Sequence, residues 1–148
     1  EQIARLDRDR WTLRGHWHPR WGDELRRWYA AHDIEPVADA DEVFARADLL
    51  VADNTSLLPE FAATGRPVLW LTESRWRRDV EHGGRFWEWP SGQVQLDPGD
   101  DLAAGIASAL ADAPEASAGR ARMLEQVYGK NLDGRATERA VDAIREWA

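Results

Sequence analysis

The chain has 148 residues, of which 43% are hydrophobic and 31% charged, and its formal net charge at pH 7 is −8. These values exclude a disordered chain, and no apolar run reaches the roughly 20 residues that span a bilayer. The acidic balance argues against a protein that coats nucleic acid, and the lack of cysteine excludes disulfides and thiolate chemistry.

The first half of the chain alternates between short apolar runs and segments with helical spacing, which is typical of β-α repetition. In the first helix Leu25, Trp28, Tyr29 and His32 share one face at helical spacing. Asp39 is placed to cap the next helix at the Glu42 N–H. The predicted elements are a strand at 11–17, a helix at 22–32, a strand at 34–37, a helix from Asp39, a strand at 48–52, a helix from about Ser56 to Thr64 closed by Gly65, and a strand at 66–71.

The second half begins with an irregular loop at 73–92 that is rich in Arg, Trp and Gly and contains a short strand at 85–89. A further strand is predicted at 93–96, followed by helices at 100–113, 115–128 and 134–147. Pro114 is expected to end the first of these helices. The predicted apolar stripe of the helix at 100–113 consists of Leu102, Ile106, Ala109 and Leu110.

This order predicts an α/β fold, because right-handed crossovers convert it into a Rossmann-like open, mostly parallel sheet with helices on both faces. We expect residues 1–148 to form one such domain. The chain starts at Glu1 without a secretion leader, so we expect a cytoplasmic protein and a fragment of a longer one.

A polar box, "DNTS", lies between two of the predicted strands. Asp53, Asn54, Thr55 and Ser56 follow a strand at the point where a helix begins, and ligands of open parallel sheets bind at that edge. The hydroxyls and the following amides suit a phosphate, and Glu60, one turn on, suits the two hydroxyls of a ribose. Helix capping by the box and a solvated surface role for Glu60 are the alternative interpretations.

Two histidines, His16 and His18, end the first predicted strand two residues apart and therefore share a face. A histidine at the mouth of a cleft can take a proton from an attacking hydroxyl or donate to a phosphate oxygen. Packing is the alternative. No third ligand is nearby in the sequence, so we expect no metal ion, and nothing indicates a cofactor.

Cationic side chains provide the remaining candidates. Arg14 precedes the two histidines, and Arg85 lies with His82 in a loop that Gly83 and Gly84 make deformable. Guanidinium groups bind phosphate oxygens well, although a solvated charged loop is the alternative interpretation. Arg14 and Arg85 are therefore expected to contact an anionic substrate.

Residues 47–71, "ADLLVADNTSLLPEFAATGRPVLWL", resemble the stretch "aDvlItDySSvmfDfllldrPvifY" of the CDP-glycerol glycerophosphotransferases of teichoic acid synthesis. In the same order, "EHGGRFWEWPSG" and "YGKNLDGRATERAVDAI" resemble two later segments of that family, and "RGHWHP" resembles its His-Pro motif. The resemblance implies the C-terminal, nucleotide-binding half of a two-domain glycosyltransferase-B fold.

The resemblance also implies residue roles. His18 corresponds to the catalytic histidine of the His-Pro motif, Thr55 and Ser56 correspond to paired serines that bind the donor phosphates, and Glu60 lies where the family often has Asp. Asn54 replaces the usual Tyr and Thr55 replaces a Ser, so the sequence departs from the family at the donor site.

The function implied is binding of a CDP-activated polyol and transfer of its polyol phosphate to an acceptor hydroxyl, with release of CMP. The implied partners are the nucleotide-activated donor, a polyol-phosphate acceptor and a missing N-terminal domain, with peripheral association at the inner face of the membrane for the full-length protein. The fragment alone is expected to be inactive. Nucleic acid is not an expected partner.

Two other functions fit part of the sequence. The segment from Asp53 to Glu60, with the following "GRPV", is similar to the "DSGGiqEEa.slGkPvl" segment of UDP-N-acetylglucosamine 2-epimerases, which favours a UDP- or GDP-sugar enzyme. A Rossmann-like half retained as a non-catalytic interaction module is the third possibility.

Overall fold

The fold is a mixed α/β arrangement in which parallel strands are flanked by helices. A computed structural model of the chain describes residues 2–17, 22–53, 55–72 and 93–147. The strands are β1 Arg14–Gly15, β2 Glu35–Pro36, β3 Leu50–Ala52, β4 Val68–Leu71 and β5 Val94–Leu96; the helices are α1 Gly22–Ala31, α2 Ala40–Arg46, α3 Leu57–Ala62, α4 Leu102–Leu110, α5 Pro114–Tyr128 and α6 Ala136–Trp147, with 3-10 turns at Ile3–Arg5 and Gly129–Asp133.

All pairings between the described strands are parallel, which confirms the predicted α/β class. Strands β3, β4 and β5 form one three-stranded group, and β1 pairs with β2. The β1–β2 ladder is shorter than the predicted strand at 11–17. Glu35 and Val37 donate their N–H groups to the carbonyls of Leu13 and Gly15 at 3.2 and 2.9 Å, and Pro36 between them has no N–H to donate.

Alternating side chains of the three-stranded group enter two separate cores. On β4, Val68 and Trp70 face a cluster with α3 and α5, whereas Leu69 faces α4 on the opposite side. Because both faces are covered, these strands are continuous apolar runs rather than alternating ones. The first core contains Leu58, Phe61, Ala62, Val68, Trp70 and Met123, and the second contains Leu6, Leu69, Leu102, Ile106 and Ala109.

Polar residues cap the helix ends. Asp39 accepts a 2.9 Å bond from the Asp41 N–H, one residue earlier than the Glu42 N–H that the sequence predicts. Asp101 accepts bonds from the N–H groups of Ala103 and Ala104. Gly65, with φ of +83°, follows α3 in the left-handed conformation expected of it.

The predicted stripe of α4 is correct for three of its four residues. Leu102, Ile106 and Ala109 are buried, but Leu110 is 36% exposed, because the helix ends at this residue. Pro114 does not end α4, which finishes at Leu110; it is the first residue of α5, where a missing N–H costs nothing. The predicted strand at 85–89 and the whole of its loop at 73–92 lie outside the described residues.

Candidate active site at the carboxyl edge of the strands

The candidate site lies where the described strands end. His16 follows β1, and Asp53 follows β3. Carboxyl ends of parallel strands meet at one edge of an α/β fold, where loop residues from different strands can act on one ligand. A third residue, Tyr29 of α1, contacts the residue that follows β1.

The imidazole of His16 is held by one hydrogen bond. Its Nδ1 lies 3.0 Å from the Val37 carbonyl oxygen, and since a carbonyl can only accept, Nδ1 carries the proton. In the neutral ring the lone pair is then on Nε2. His16 is partly buried, and its ring stacks on that of Trp17 with centroids 6.3 Å apart.

Tyr29 holds the end of β1. Its hydroxyl donates a 3.0 Å bond to the backbone carbonyl of His16. Burial raises the pKa of Tyr29 above its ordinary value of 10.0, and the negative charge of Asp53 raises it further. The hydroxyl therefore remains a donor at neutral pH.

The ring of Tyr29 also explains Gly15. A Cβ atom on Gly15 would meet three ring carbons of Tyr29 at 2.6 Å, so only glycine permits the ring to lie there. From the sequence, Tyr29 is merely a member of an apolar helix face. The signal that could have found it is the combination of a glycine inside a predicted strand with an aromatic residue on the following helix.

Thr55 and Ser56 have different environments. The Thr55 hydroxyl oxygen accepts a 3.3 Å bond from the Leu57 N–H, as a helix-capping residue would. Ser56, the residue before α3, makes no side-chain capping bond. The capping interpretation therefore fits Thr55, whereas the exposed hydroxyl of Ser56 is left for another partner.

Glu60 lies in the first turn of α3 and is exposed. Burial raises the pKa of Tyr128, at the end of α5, and the Glu60 carboxylate raises it further.

Arg14 is already engaged. Its Nε lies 2.9 Å from a carboxylate oxygen of Glu35, and Arg46 pairs with the other oxygen of that carboxylate at 2.9 Å. A guanidinium held in this way orients β1 against β2, and a phosphate would have to compete with Glu35 for it.

One family model matches residues 1–146, and it describes CDP-glycerol:poly(glycerophosphate) glycerophosphotransferases. The chain belongs to this family. The glycerophosphotransferase family implies a transferase that uses a nucleotide-activated polyol donor and a polyol-phosphate acceptor, and the resemblance of the sequence motifs is thereby confirmed. Searches of curated proteins and of solved structures returned no match.

Several predicted site residues of this glycerophosphotransferase-family chain lie outside the described residues, namely His18, Asn54, His82 and Arg85. Their roles stay predictions. Within 2–17, 22–53, 55–72 and 93–147, no three His, Asp or Glu side chains lie close enough together to hold a metal ion. No helix in those ranges is both long and apolar enough to cross a bilayer.

Proposed function

We propose that this chain binds a CDP-activated polyol resembling CDP-glycerol, and that the full-length protein transfers the polyol phosphate to a hydroxyl of a teichoic-acid-like polymer. The family match over residues 1–146 is the observation that carries the proposal. The positions of His16 after β1 and of Asp53 after β3 support it.

In the proposed reaction the acceptor oxygen attacks the β-phosphorus of the donor. The bond from that phosphorus to the oxygen bridging to CMP breaks, and CMP leaves with the electron pair. A histidine takes the proton of the acceptor hydroxyl; His18 is the proposed base, and His16 is the second histidine of the site. Positioning and charge stabilisation dominate such phosphoryl transfers.

The proposed donor contacts come from the polar box and its surroundings. Ser56 donates its hydroxyl to a pyrophosphate oxygen, and its lack of a capping bond supports this role. Thr55, Asn54 and Asp53 complete the box, and Glu60 accepts hydrogen bonds from the ribose hydroxyls. Arg14 and Arg85 are the proposed cations; Arg14 contributes only if the phosphate displaces part of its pairing with Glu35.

The proposed setting is the C-terminal half of a glycosyltransferase-B enzyme, with an N-terminal domain supplying the acceptor face. A half-cleft cannot orient both substrates, so residues 1–148 alone are expected to bind donor without turnover. A cytoplasmic location, peripheral contact of the full-length protein with the membrane, and no binding of nucleic acid belong to the same proposal.

Isothermal titration calorimetry with CDP-glycerol, CDP, UDP and GDP tests the proposal on both the full-length protein and residues 1–148. Preferential binding of the two cytidine compounds is the expected result. Tighter binding of UDP or GDP would instead support the nucleotide-sugar enzyme. Folded protein of both lengths that binds no nucleotide would overturn donor binding and support the non-catalytic module.

A further inference from the structure

We propose that Tyr29 is a positioning residue that fixes the end of β1, so that His16 keeps its Nδ1–H on the Val37 carbonyl and offers Nε2 to the substrate. The proposal rests on the proposed function for its chemistry, but its structural part stands on the contacts around Gly15 and His16.

The first two contacts fix the backbone. The Tyr29 hydroxyl holds the His16 carbonyl at 3.0 Å, and the Val37 N–H holds the Gly15 carbonyl at 2.9 Å. Consecutive carbonyls at the end of β1 are thus bound by different elements, one by a side chain of α1 and one by the backbone after β2.

The remaining contacts fix the side chains. The Tyr29 ring occupies the space that a Cβ on Gly15 would fill, and it lies 6.1 Å from the ring of Trp17. The His16 ring stacks on the Trp17 ring itself and bonds the Val37 carbonyl through Nδ1. Removing the hydroxyl leaves the rings in place but frees the His16 carbonyl.

The chemical consequence concerns the imidazole tautomer. A free imidazole in water favours the form with the proton on Nε2, whereas the Val37 carbonyl selects Nδ1–H. No described residue bonds Nε2, so its lone pair is available to accept a proton or, in the charged ring, to donate to a phosphate oxygen.

The test uses Tyr29→Phe in the full-length protein, which removes only the hydroxyl. Nitrogen NMR of labelled histidine is expected to show His16 as the Nδ1–H form in the wild type and as a mixture of tautomers in Tyr29→Phe. With CDP-glycerol as donor, kcat is expected to fall about tenfold, the equivalent of one hydrogen bond, with KM for the donor unchanged.

A double-mutant cycle separates positioning from general stabilisation. In a His16→Gln background, Tyr29→Phe is expected to cause no further loss of kcat, because the group that it positions is gone. Thr64→Val is the matched control, since it removes another hydroxyl that bonds a carbonyl, that of Phe61 at 2.7 Å, at the far end of α3. It should leave both kcat and the His16 tautomer unchanged.

Each outcome decides one of the two proposals. Two results would overturn the positioning role even if the enzyme turns over CDP-glycerol. One is an unchanged His16 tautomer in Tyr29→Phe. The other is a double variant in which the fold-losses of kcat from Tyr29→Phe and His16→Gln multiply. A wild-type protein without turnover would overturn the proposed function, while the NMR comparison would still decide whether Tyr29 positions His16.

Discussion

Arg120 of α5 binds both carboxylate oxygens of Asp112, at 2.8 and 2.9 Å, and so closes the corner between α4 and α5. The Arg120 side chain is only 7% exposed, whereas that of Asp112 is 34% exposed. Asp112 also has a φ of +43°. One residue thus supplies both the turn and the counter-charge for a buried guanidinium.

Asp112→Asn tests this corner, because Asn tolerates positive φ and only the charge is lost. We expect the free energy of unfolding at pH 7 to fall by about 1–2 kcal/mol. This is the contribution of one charged hydrogen bond, reduced because Asp112 is partly exposed to solvent. Urea denaturation measures it. Asp142→Asn, whose pair with Arg145 is 3.8 Å long and exposed, should show no measurable loss.

The same substitution carries a pH dependence. The hydrogen bonds from Arg120, aided by its charge, hold the pKa of Asp112 below its ordinary value of 3.8. A depressed carboxyl pKa stabilises the fold above the unfolded pKa and ceases to do so as the pH falls through the folded one. The difference in unfolding free energy between wild type and Asp112→Asn should therefore be largest at neutral pH and should disappear as the pH falls below 3.8. Curves that stay parallel would contradict the assignment.

Arg66 joins three elements. Its guanidinium donates to the carbonyls of Phe44 and Ala47 at the end of α2, and its Cζ lies 4.7 Å from the ring centroid of Phe61. Lysine can neither bridge two carbonyls with a planar fork nor stack in the same way. Arg66→Lys should cost about 1–2 kcal/mol of unfolding free energy, the net worth of one to two hydrogen bonds. Arg145→Lys, whose 3.8 Å pair with Asp142 is exposed, is the control and should have no measurable effect.

Thr55 and Ser56 should separate capping from ligand binding. Thr55→Ala removes the bond to the Leu57 N–H, and we expect a loss of about 0.5–1.5 kcal/mol in unfolding free energy. Ser56→Ala removes no capping bond and should leave stability unchanged while weakening CDP-glycerol binding about tenfold. Thermal unfolding and calorimetry measure the two effects. If Ser56→Ala lowers stability and spares binding, its hydroxyl serves the fold alone.

At Gly105 we expect a glycine-to-alanine substitution to lower stability, the opposite of its usual effect inside a helix. Glycine to alanine inside a helix normally stabilises by about 0.5–1 kcal/mol. At Gly105 of α4 a Cβ would lie 2.5 Å from Cδ1 of Leu96, and overpacking costs about 1–3 kcal/mol. Gly105→Ala should therefore destabilise, and pairing it with Leu96→Val should recover part of the loss. Ser108→Ala, exposed on the same helix, should not destabilise.

The sequence allowed the order of strands and helices to be predicted, because hydrophobic periodicity reports which faces are buried. Both-sided burial explains why the runs before Asp53 and after Gly65 read as continuous apolar strands. Strand lengths were overestimated, since pairing depends on partners distant in sequence. Leu110 was placed in the stripe because periodicity alone does not show where a helix ends.

The sequence predicts that the candidate site lies at the ends of strands, but it does not predict the contacts between the residues of that site. His16 and Asp53 were placed by the rule that parallel strands end at one edge. The bond of Tyr29 to the His16 carbonyl and the pairing of Arg14 with Glu35 connect residues that no local pattern links. The roles of His18, Asn54 and Arg85 stay predictions, because those residues lie outside the described structure.

The last helix, α6, has 12 residues and none of them is buried; Ile144 and Trp147 are 69% and 94% exposed. A helix of that length is marginal in water without packing. Its amide protons should therefore exchange with solvent through local opening, at far lower free energy than those of β4, which exchange only when the whole core unfolds. Hydrogen exchange on this chain would then resolve two thermodynamic units within a single fold.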